Sequence, residues 1–154
     1  ALEYASQFCA HINPDSLALY ERLIREGAWW DFVDHIAISL VGNVLLDHRA
    51  DAKEIINKWT DDHDMWIRRT SLICHNHHKL KTDRKQLFAA CKKLAPEKEF
   101  FIRKAIGWAL REYSYHEPQA VIAFVQRHES ALSPLSMREA TRQLVRSGQI
   151  KAGC

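Results

Sequence analysis

Helical periodicity runs through almost the whole chain and constrains its fold more than any other feature. Apolar residues recur at the three- and four-residue spacing of one helix face, and no convincing segment alternates between apolar and polar residues as a strand would. Only 5 glycines and 4 prolines occur in 154 residues, most of them at positions where helices would begin or end. The sequence therefore predicts an all-α protein with short connections between its helices.

Capping residues, glycines and prolines locate the helix boundaries. Asp15 and Gly27 bracket one helix, Asp64 begins another, and Pro118 lies in the first turn of a third. The predicted helices cover residues 2–11, 15–26, 29–46, 49–59, 64–77, 83–94, 97–114, 118–128 and 135–147. Helices of this length joined by short turns are typical of stacked helical hairpins, and a compact bundle is the competing architecture.

Length and composition predict one helical domain over residues 1–154, because 47% hydrophobic content is enough for one sizeable core. The apolar run from Ile36 to Leu46 is too short and too interrupted for a membrane span, so no membrane partner is expected. The first residues lack a basic stretch followed by an apolar core, so no secretion signal is expected. The cysteines form no C-x-x-C pair, which favours reduced thiols in an intracellular, cytoplasmic protein: Cys9, Cys74, Cys91 and Cys154.

Charge is distributed unevenly along the chain. Residues 1–66 contain 5 Lys and Arg against 12 Asp and Glu, whereas residues 67–154 contain 17 against 7, a net charge of +10. Many of the basic residues fall in a short span: Lys79, Lys81, Arg84, Lys85, Lys92, Lys93, Arg103, Lys104 and Arg111. Such a cluster is typical of a phosphate-binding surface, and a set of solvated helix faces is an equally good interpretation.

Trp30 and Asp34 are four residues apart, so on a helix they share one face. Trp29 is assigned to the adjoining apolar stripe. Core packing is the simpler interpretation of paired tryptophans near a helix start. Asp34 weakens it, because a carboxylate is rarely buried without a partner, and an outward-facing Trp30 and Asp34 become the alternative.

The segment Trp66-Ile67-Arg68-Arg69 contains two adjacent cations. Trp66 and Ile67 belong to the predicted buried side of their helix, which directs Arg68 and Arg69 elsewhere. A planar guanidinium can donate two hydrogen bonds to a phosphate. The alternative is a surface ion pair with Asp61, Asp62 or Asp64.

Trp108 lies beside Gly107, where the missing side chain leaves room for a ligand or for a closely packed helix. Asp34 and Arg69 are 35 residues apart, and Arg69 and Trp108 are 39 apart, close to the period of stacked helical repeats. A carboxylate, an arginine and an aromatic side chain are therefore predicted on one face.

The cluster Cys74-His75-Asn76-His77-His78 has spacings that suit metal ligation. A structural zinc site needs four ligands, and the sequence contains no second cluster to complete one. No metal is expected, and a solvated helix end is the preferred interpretation. A metal-binding helical protein stays the distant alternative.

Four segments together resemble the DNA glycosylase family of alkylation-repair proteins known from bacterial AlkD members. They are W-W-D-x-V-D at 29–34, W-I-R-R at 66–69, F-F-I-R-K-A-I-G-W-A-L-R-E-Y at 100–113 and L-S-P-L-S-x-R-E-A at 132–140. The resemblance implies HEAT-like helical repeats forming a short curved α-solenoid. It also implies that a concave basic face holds duplex DNA and that positively charged bases such as N7-methylguanine and N3-methyladenine are released by hydrolysis.

By resemblance, Trp30, Asp34 and Trp108 are catalytic and Arg69 belongs to the same active site. The other basic residues predicted to bind DNA with Arg69 are Arg68, Arg103, Lys104 and Arg111. No metal or cofactor is implied. Because no lysine is assigned as nucleophile, a monofunctional hydrolase is expected.

The chain departs from this family at its N-terminus, where members have further helices before the segment that resembles residues 1–10. An N-terminally shortened repeat domain is therefore expected, with self-association through an uncapped apolar face. The alternative function is a non-catalytic helical-repeat module that binds nucleic acid or protein through the same surface.

Overall fold

The computed structural model describes residues 13–151, which contain helices, turns and no strand. The α-helices are α1 Ser16–Gly27, α2 Trp30–His35, α3 Gly42–Asp47, α4 Arg49–Trp59, α5 Met65–Ile73, α6 Arg84–Leu94, α7 Phe100–Ser114, α8 Pro118–Arg127 and α9 Pro134–Arg146. A π-helix, Ile36–Val41, joins α2 to α3, and Lys79–Lys81 form a 3₁₀-helix. The predicted all-α fold class is confirmed, and the predicted helix 2–11 lies outside the described residues.

The chain divides into two compact units, residues 1–78 and residues 79–154. Stacked repeats contact mainly their neighbours, so a single repeat domain also divides into compact parts. The single domain over residues 1–154 therefore stays a prediction. Among residues 13–151, none of the helices combines the length and the apolar character that crossing a membrane requires.

The core of the first unit is formed by apolar side chains at helical spacing. In α1 the buried residues Leu17, Tyr20 and Ile24 follow one another at three- and four-residue intervals. They belong to one cluster with buried residues of the other elements, including Val33, Ile36, Leu40, Ala52, Ile56 and Ile67. This packing holds α2 and the π-helix against α5.

The segment from α2 to α3 is helical throughout, as predicted for residues 29–46, but its middle turns are π-helical. The last residue of the π-helix, Val41, is followed by Gly42. Gly42 lies close to the C-terminal end of α5, because a Cβ on it would be 2.7 Å from the carbonyl oxygen of Cys74. His78 Nε2 donates a hydrogen bond of 2.8 Å to the Gly42 carbonyl oxygen. Both contacts fix the segment that follows Asp34.

In the second unit, α7 packs closely along α9. A Cβ on Gly107 would be 2.4 Å from Glu139 Cβ and 3.0 Å from the Ser136 carbonyl oxygen. The close-packing interpretation of Gly107 is therefore correct. Ser136 Oγ also donates a hydrogen bond of 2.9 Å to the carbonyl oxygen of Arg103, which fixes the register of the two helices.

Local signals located most helix ends. Asp64 caps α5 as predicted, accepting a hydrogen bond of 2.8 Å from the Trp66 amide. The helix predicted over 64–77 ends instead at Ile73, because the following residues form tight i→i+3 turns. The helix predicted over 97–114 begins at Phe100, because Glu99 has extended backbone angles.

Candidate active site

Asp34 and Arg69 form a bidentate ion pair in the first unit. Arg69 Nε lies 2.7 Å from Asp34 Oδ1, and Arg69 Nη2 lies 2.7 Å from Asp34 Oδ2. The Arg69 side chain is 4% exposed and the Asp34 side chain is 13% exposed. Because α2 packs against α5, two residues 35 positions apart meet in the geometry of the strongest protein ion pairs.

The burial of Arg69 corrects the sequence-based placement. Periodicity directed this arginine away from the buried side of α5, with a nearby aspartate as the alternative partner. The structure buries it instead, and burial is tolerated because the Asp34 carboxylate neutralises it. Asp62 is paired with Arg25 at 2.7 and 2.9 Å, and the hydrogen bonds from that guanidinium lower the pKa of Asp62 to about 2.

Trp30 precedes Asp34 by one helical turn and is 44% exposed. The outward orientation considered for Trp30 is correct, and the core-packing interpretation of the tryptophan pair is wrong. Trp29 is 59% exposed rather than part of the apolar stripe. Its backbone is extended, so it lies outside the helical periodicity that assigned it to the core.

Trp108 is half-buried on α7 in the second unit. Its indole Nε1 donates a hydrogen bond of 3.2 Å to Glu112 Oε1, one turn further along the helix. The sequence left open whether Trp108 is in the core or faces a ligand, and the half-buried side chain lies between these two alternatives. Its position on one face with Asp34 and Arg69 stays a prediction.

Two of the predicted DNA-binding cations donate to backbone carbonyls. Arg68 Nη1 donates to the carbonyl oxygens of Asp62 and His63 at 2.7 and 2.9 Å. Arg103 Nε donates to the carbonyl oxygen of Glu97 at 2.9 Å. Both side chains thereby fix the chain before the helix on which they lie, and their role in DNA binding stays a prediction.

Two further predicted DNA-binding cations share one carboxylate. Lys104 Nζ lies 3.1 Å from Glu139 Oε1, and Arg111 Nη1 lies 2.7 Å from Glu139 Oε2. Burial acts to raise the pKa of Glu139, but the bonds and charges of Lys104 and Arg111 outweigh it, and the net pKa is below its ordinary value. Part of the predicted basic surface is therefore neutralised within the fold.

Glu139 is not among the site residues predicted from the sequence. The clue available was an acidic residue at a buried helical position of α9, three residues after buried Ser136, within a half of the chain that contains few carboxylates. A buried carboxylate requires partners, and the nearest elements carry the cations.

Comparisons with known proteins agree with these motifs. The sequence model of the DNA alkylation repair enzyme family matches residues 1–144. The chain belongs to this family.

A solved structure described as a predicted DNA alkylation repair enzyme from Enterococcus faecalis is 31% identical to this family member, with a TM-score of 0.84. The match covers 93% of this chain and 66% of that one, so the chain spans just under two thirds of its length. No curated protein matches the sequence.

The cluster at 74–78 is not a solvated helix end in this family member, and that interpretation is wrong. Cys74, His75 and His78 are buried, and only His77 is exposed. Burial raises the pKa of the Cys74 thiol and lowers the pKa of His78. Within residues 13–151, no group of three or more His, Cys, Asp and Glu side chains is arranged to hold a metal ion.

The site in the first unit combines a fixed carboxylate with an exposed aromatic ring. Two charge-assisted hydrogen bonds hold Asp34 in one orientation, and Trp30 lies one turn away on the same helix face. A fixed negative charge and an electron-rich ring both stabilise a cation that develops beside them. The geometry suits a reaction whose transition state is positively charged.

Proposed function

We propose that this protein is a monofunctional DNA glycosylase that removes positively charged alkylated purines, N7-methylguanine and N3-methyladenine, from duplex DNA. One observation carries the proposal: the Asp34 carboxylate is held by Arg69 one helical turn from the exposed side chain of Trp30. Membership of the DNA alkylation repair enzyme family supports it.

The chemistry requires a stabilised cation rather than a proton donor. When the N-glycosidic bond breaks, its electron pair neutralises the charged purine, which leaves without being protonated. The deoxyribose is left with oxocarbenium character at C1′, a charge that a carboxylate stabilises in glycoside hydrolysis. Water then adds at C1′ and loses a proton, which gives the free base and an abasic site.

Asp34 has two roles in this reaction: it stabilises the sugar cation and orients the attacking water. Trp30 and Trp108 present electron-rich rings to the same charge. Arg69 acts as a positioning residue, since its two hydrogen bonds fix both carboxylate oxygens of Asp34. The backbone-phosphate contact predicted for Arg69 is a separate proposal.

Binding is proposed to use the basic residues of 67–154, where the net charge is +10. Arg68, Arg103, Lys104 and Arg111 belong to this surface in the proposal, as on the concave face of a HEAT-like solenoid. Phosphate contacts release counterions, so affinity for duplex DNA falls steeply with salt. An intracellular, DNA-associated location is part of the same proposal.

Release of free base from a duplex that contains one N7-methylguanine tests the proposal. The expected result is free N7-methylguanine and an intact abasic strand, with no release of unmodified guanine. A duplex with a neutral lesion in the same sequence is the matched substrate control. If the folded protein binds the duplex and releases no base, the glycosylase proposal fails and a non-catalytic binding module replaces it.

A further inference from the structure

The second unit has a concavity of about 240 Å³ where the C-terminal ends of α7 and α9 lie side by side. Its lining is mainly polar and consists of Arg111, Glu112, Tyr115, Arg142, Gln143 and Arg146. Three guanidinium groups therefore face this space against one carboxylate.

Two of these arginines have no internal role. Arg142 and Arg146 are exposed on α9, and neither side chain makes an ion pair or a hydrogen bond with any residue in the described range 13–151. They are one turn apart, where like charges repel each other. By contrast, Arg111 is bonded to Glu139, and Glu112 accepts the indole N–H of Trp108. The two unpaired guanidinium charges outweigh the single carboxylate charge of Glu112, and this positive excess suits an anion.

We propose that Arg142 and Arg146, beside Arg111, bind a backbone phosphate of duplex DNA. This inference rests on the proposed function. Planar guanidinium groups bind phosphate oxygens through two parallel hydrogen bonds, and Tyr and Gln side chains are also common phosphate contacts. Small-molecule sites are mostly apolar and enclosed, whereas this concavity is mainly polar, as a phosphate on a polymer requires.

The site is next to a predicted catalytic residue. Glu112 lines the concavity and accepts a hydrogen bond of 3.2 Å from Trp108 Nε1. A phosphate bound there is thus separated from the Trp108 ring by one side chain. Such a contact fixes the register of the DNA on the second unit and carries no sequence information.

The test is the double substitution Arg142→Gln and Arg146→Gln, with DNA affinity measured by fluorescence anisotropy at several salt concentrations. Log affinity falls linearly with log salt, and each lost phosphate contact reduces the steepness of that fall by about 0.9. We expect a loss of one to two such contacts.

The matched control is Lys85→Gln with Lys92→Gln, which removes the same charge from exposed positions on α6 that also lack partners in the described range. We expect it to reduce the salt dependence less than the arginine variant does, because these lysines belong to the same basic half of the chain but do not line the concavity. If both double variants lose the same amount of salt dependence, the effect is due to net charge and the inference is wrong. An unchanged slope in the arginine variant would also overturn it.

Titration with inorganic phosphate distinguishes a DNA phosphate from a small anion. Calorimetry should detect no tight binding of phosphate alone. If phosphate binds tightly to the parent and not to the arginine variant, while both have the same salt slope on DNA, the inference is wrong. If the parent protein releases no base but the arginine variant still shows a reduced salt slope, the phosphate site is supported and only the glycosylase proposal fails.

Discussion

Removing Arg69 should destabilise the first unit more than any exposed charge substitution. Arg69→Ala leaves the Asp34 carboxylate, only 13% exposed, without its bidentate partner. Breaking a buried pair by deleting one member costs about 3–5 kcal/mol. Arg69→Lys keeps the charge but not the two-pronged geometry of the two 2.7 Å bonds, so its expected cost is about 1.5–3 kcal/mol.

The assay is urea unfolding followed by far-UV circular dichroism at 25 °C, for the parent, Arg69→Ala, Asp34→Ala and the double variant. The double-variant cycle should give a coupling energy of about 1–3 kcal/mol, because residues in direct contact are not additive. Arg22→Ala is the control, since its ion pair with Glu26 is exposed on both sides and should contribute little.

Two results would refute this reasoning. An unfolding midpoint of Arg69→Ala equal to that of the parent would mean that the ion pair does not stabilise the fold. A coupling energy below about 0.5 kcal/mol would mean that Asp34 and Arg69 act independently.

Three further predictions concern stability. Gly107→Ala should lower the unfolding free energy by about 1–3 kcal/mol in urea, despite better helix propensity, because the new Cβ would be 2.4 Å from Glu139 Cβ; a raised midpoint would contradict this. The pKa of Asp62, lowered from 3.8 to about 2 by hydrogen bonds from Arg25, makes the carboxylate stabilising above pH 5 and progressively less so as pH falls towards 2. The difference in unfolding free energy between the parent and Asp62→Asn should shrink as the pH falls from 5 to 2, and a constant difference would disprove the linkage. Ser133→Ala removes the N-cap of α9 and should cost about 1 kcal/mol by thermal unfolding, whereas an unchanged Tm would show that the cap is unimportant.

The fold class was predictable because its causes are local. Apolar spacing predicted the helices. Asp64 and Pro118 predicted two helix starts, and the observed starts lie within one residue of them. The π-helix was not predictable, since an i→i+5 turn leaves the apolar stripe of Ile36–Val41 almost unchanged.

The site was only partly predictable, because its geometry depends on contacts between distant residues. Trp30 and Asp34 were found through motifs and are on one helix face. The partner of Arg69 could not be read from α5 alone, since Asp34 precedes it by 35 residues and reaches it only after α2 packs against α5. For the same reason Glu139, which binds two predicted DNA-binding cations, was missed.

The central claim is that the Asp34 carboxylate stabilises a cationic sugar. It is tested most directly by the single-turnover rate of N7-methylguanine release by Asp34→Asn, with DNA affinity and far-UV circular dichroism recorded in parallel. Asp31→Asn is the matched control, since it removes the same charge from an exposed position of the same helix.

Asp34→Asn should release base at least about 100-fold more slowly than the parent, with DNA binding equal or tighter, because it removes both the stabilising charge and its repulsion from phosphate. Asp31→Asn should cleave at the parental rate. If folded, DNA-bound Asp34→Asn releases N7-methylguanine as fast as the parent, Asp34 is not the catalytic carboxylate.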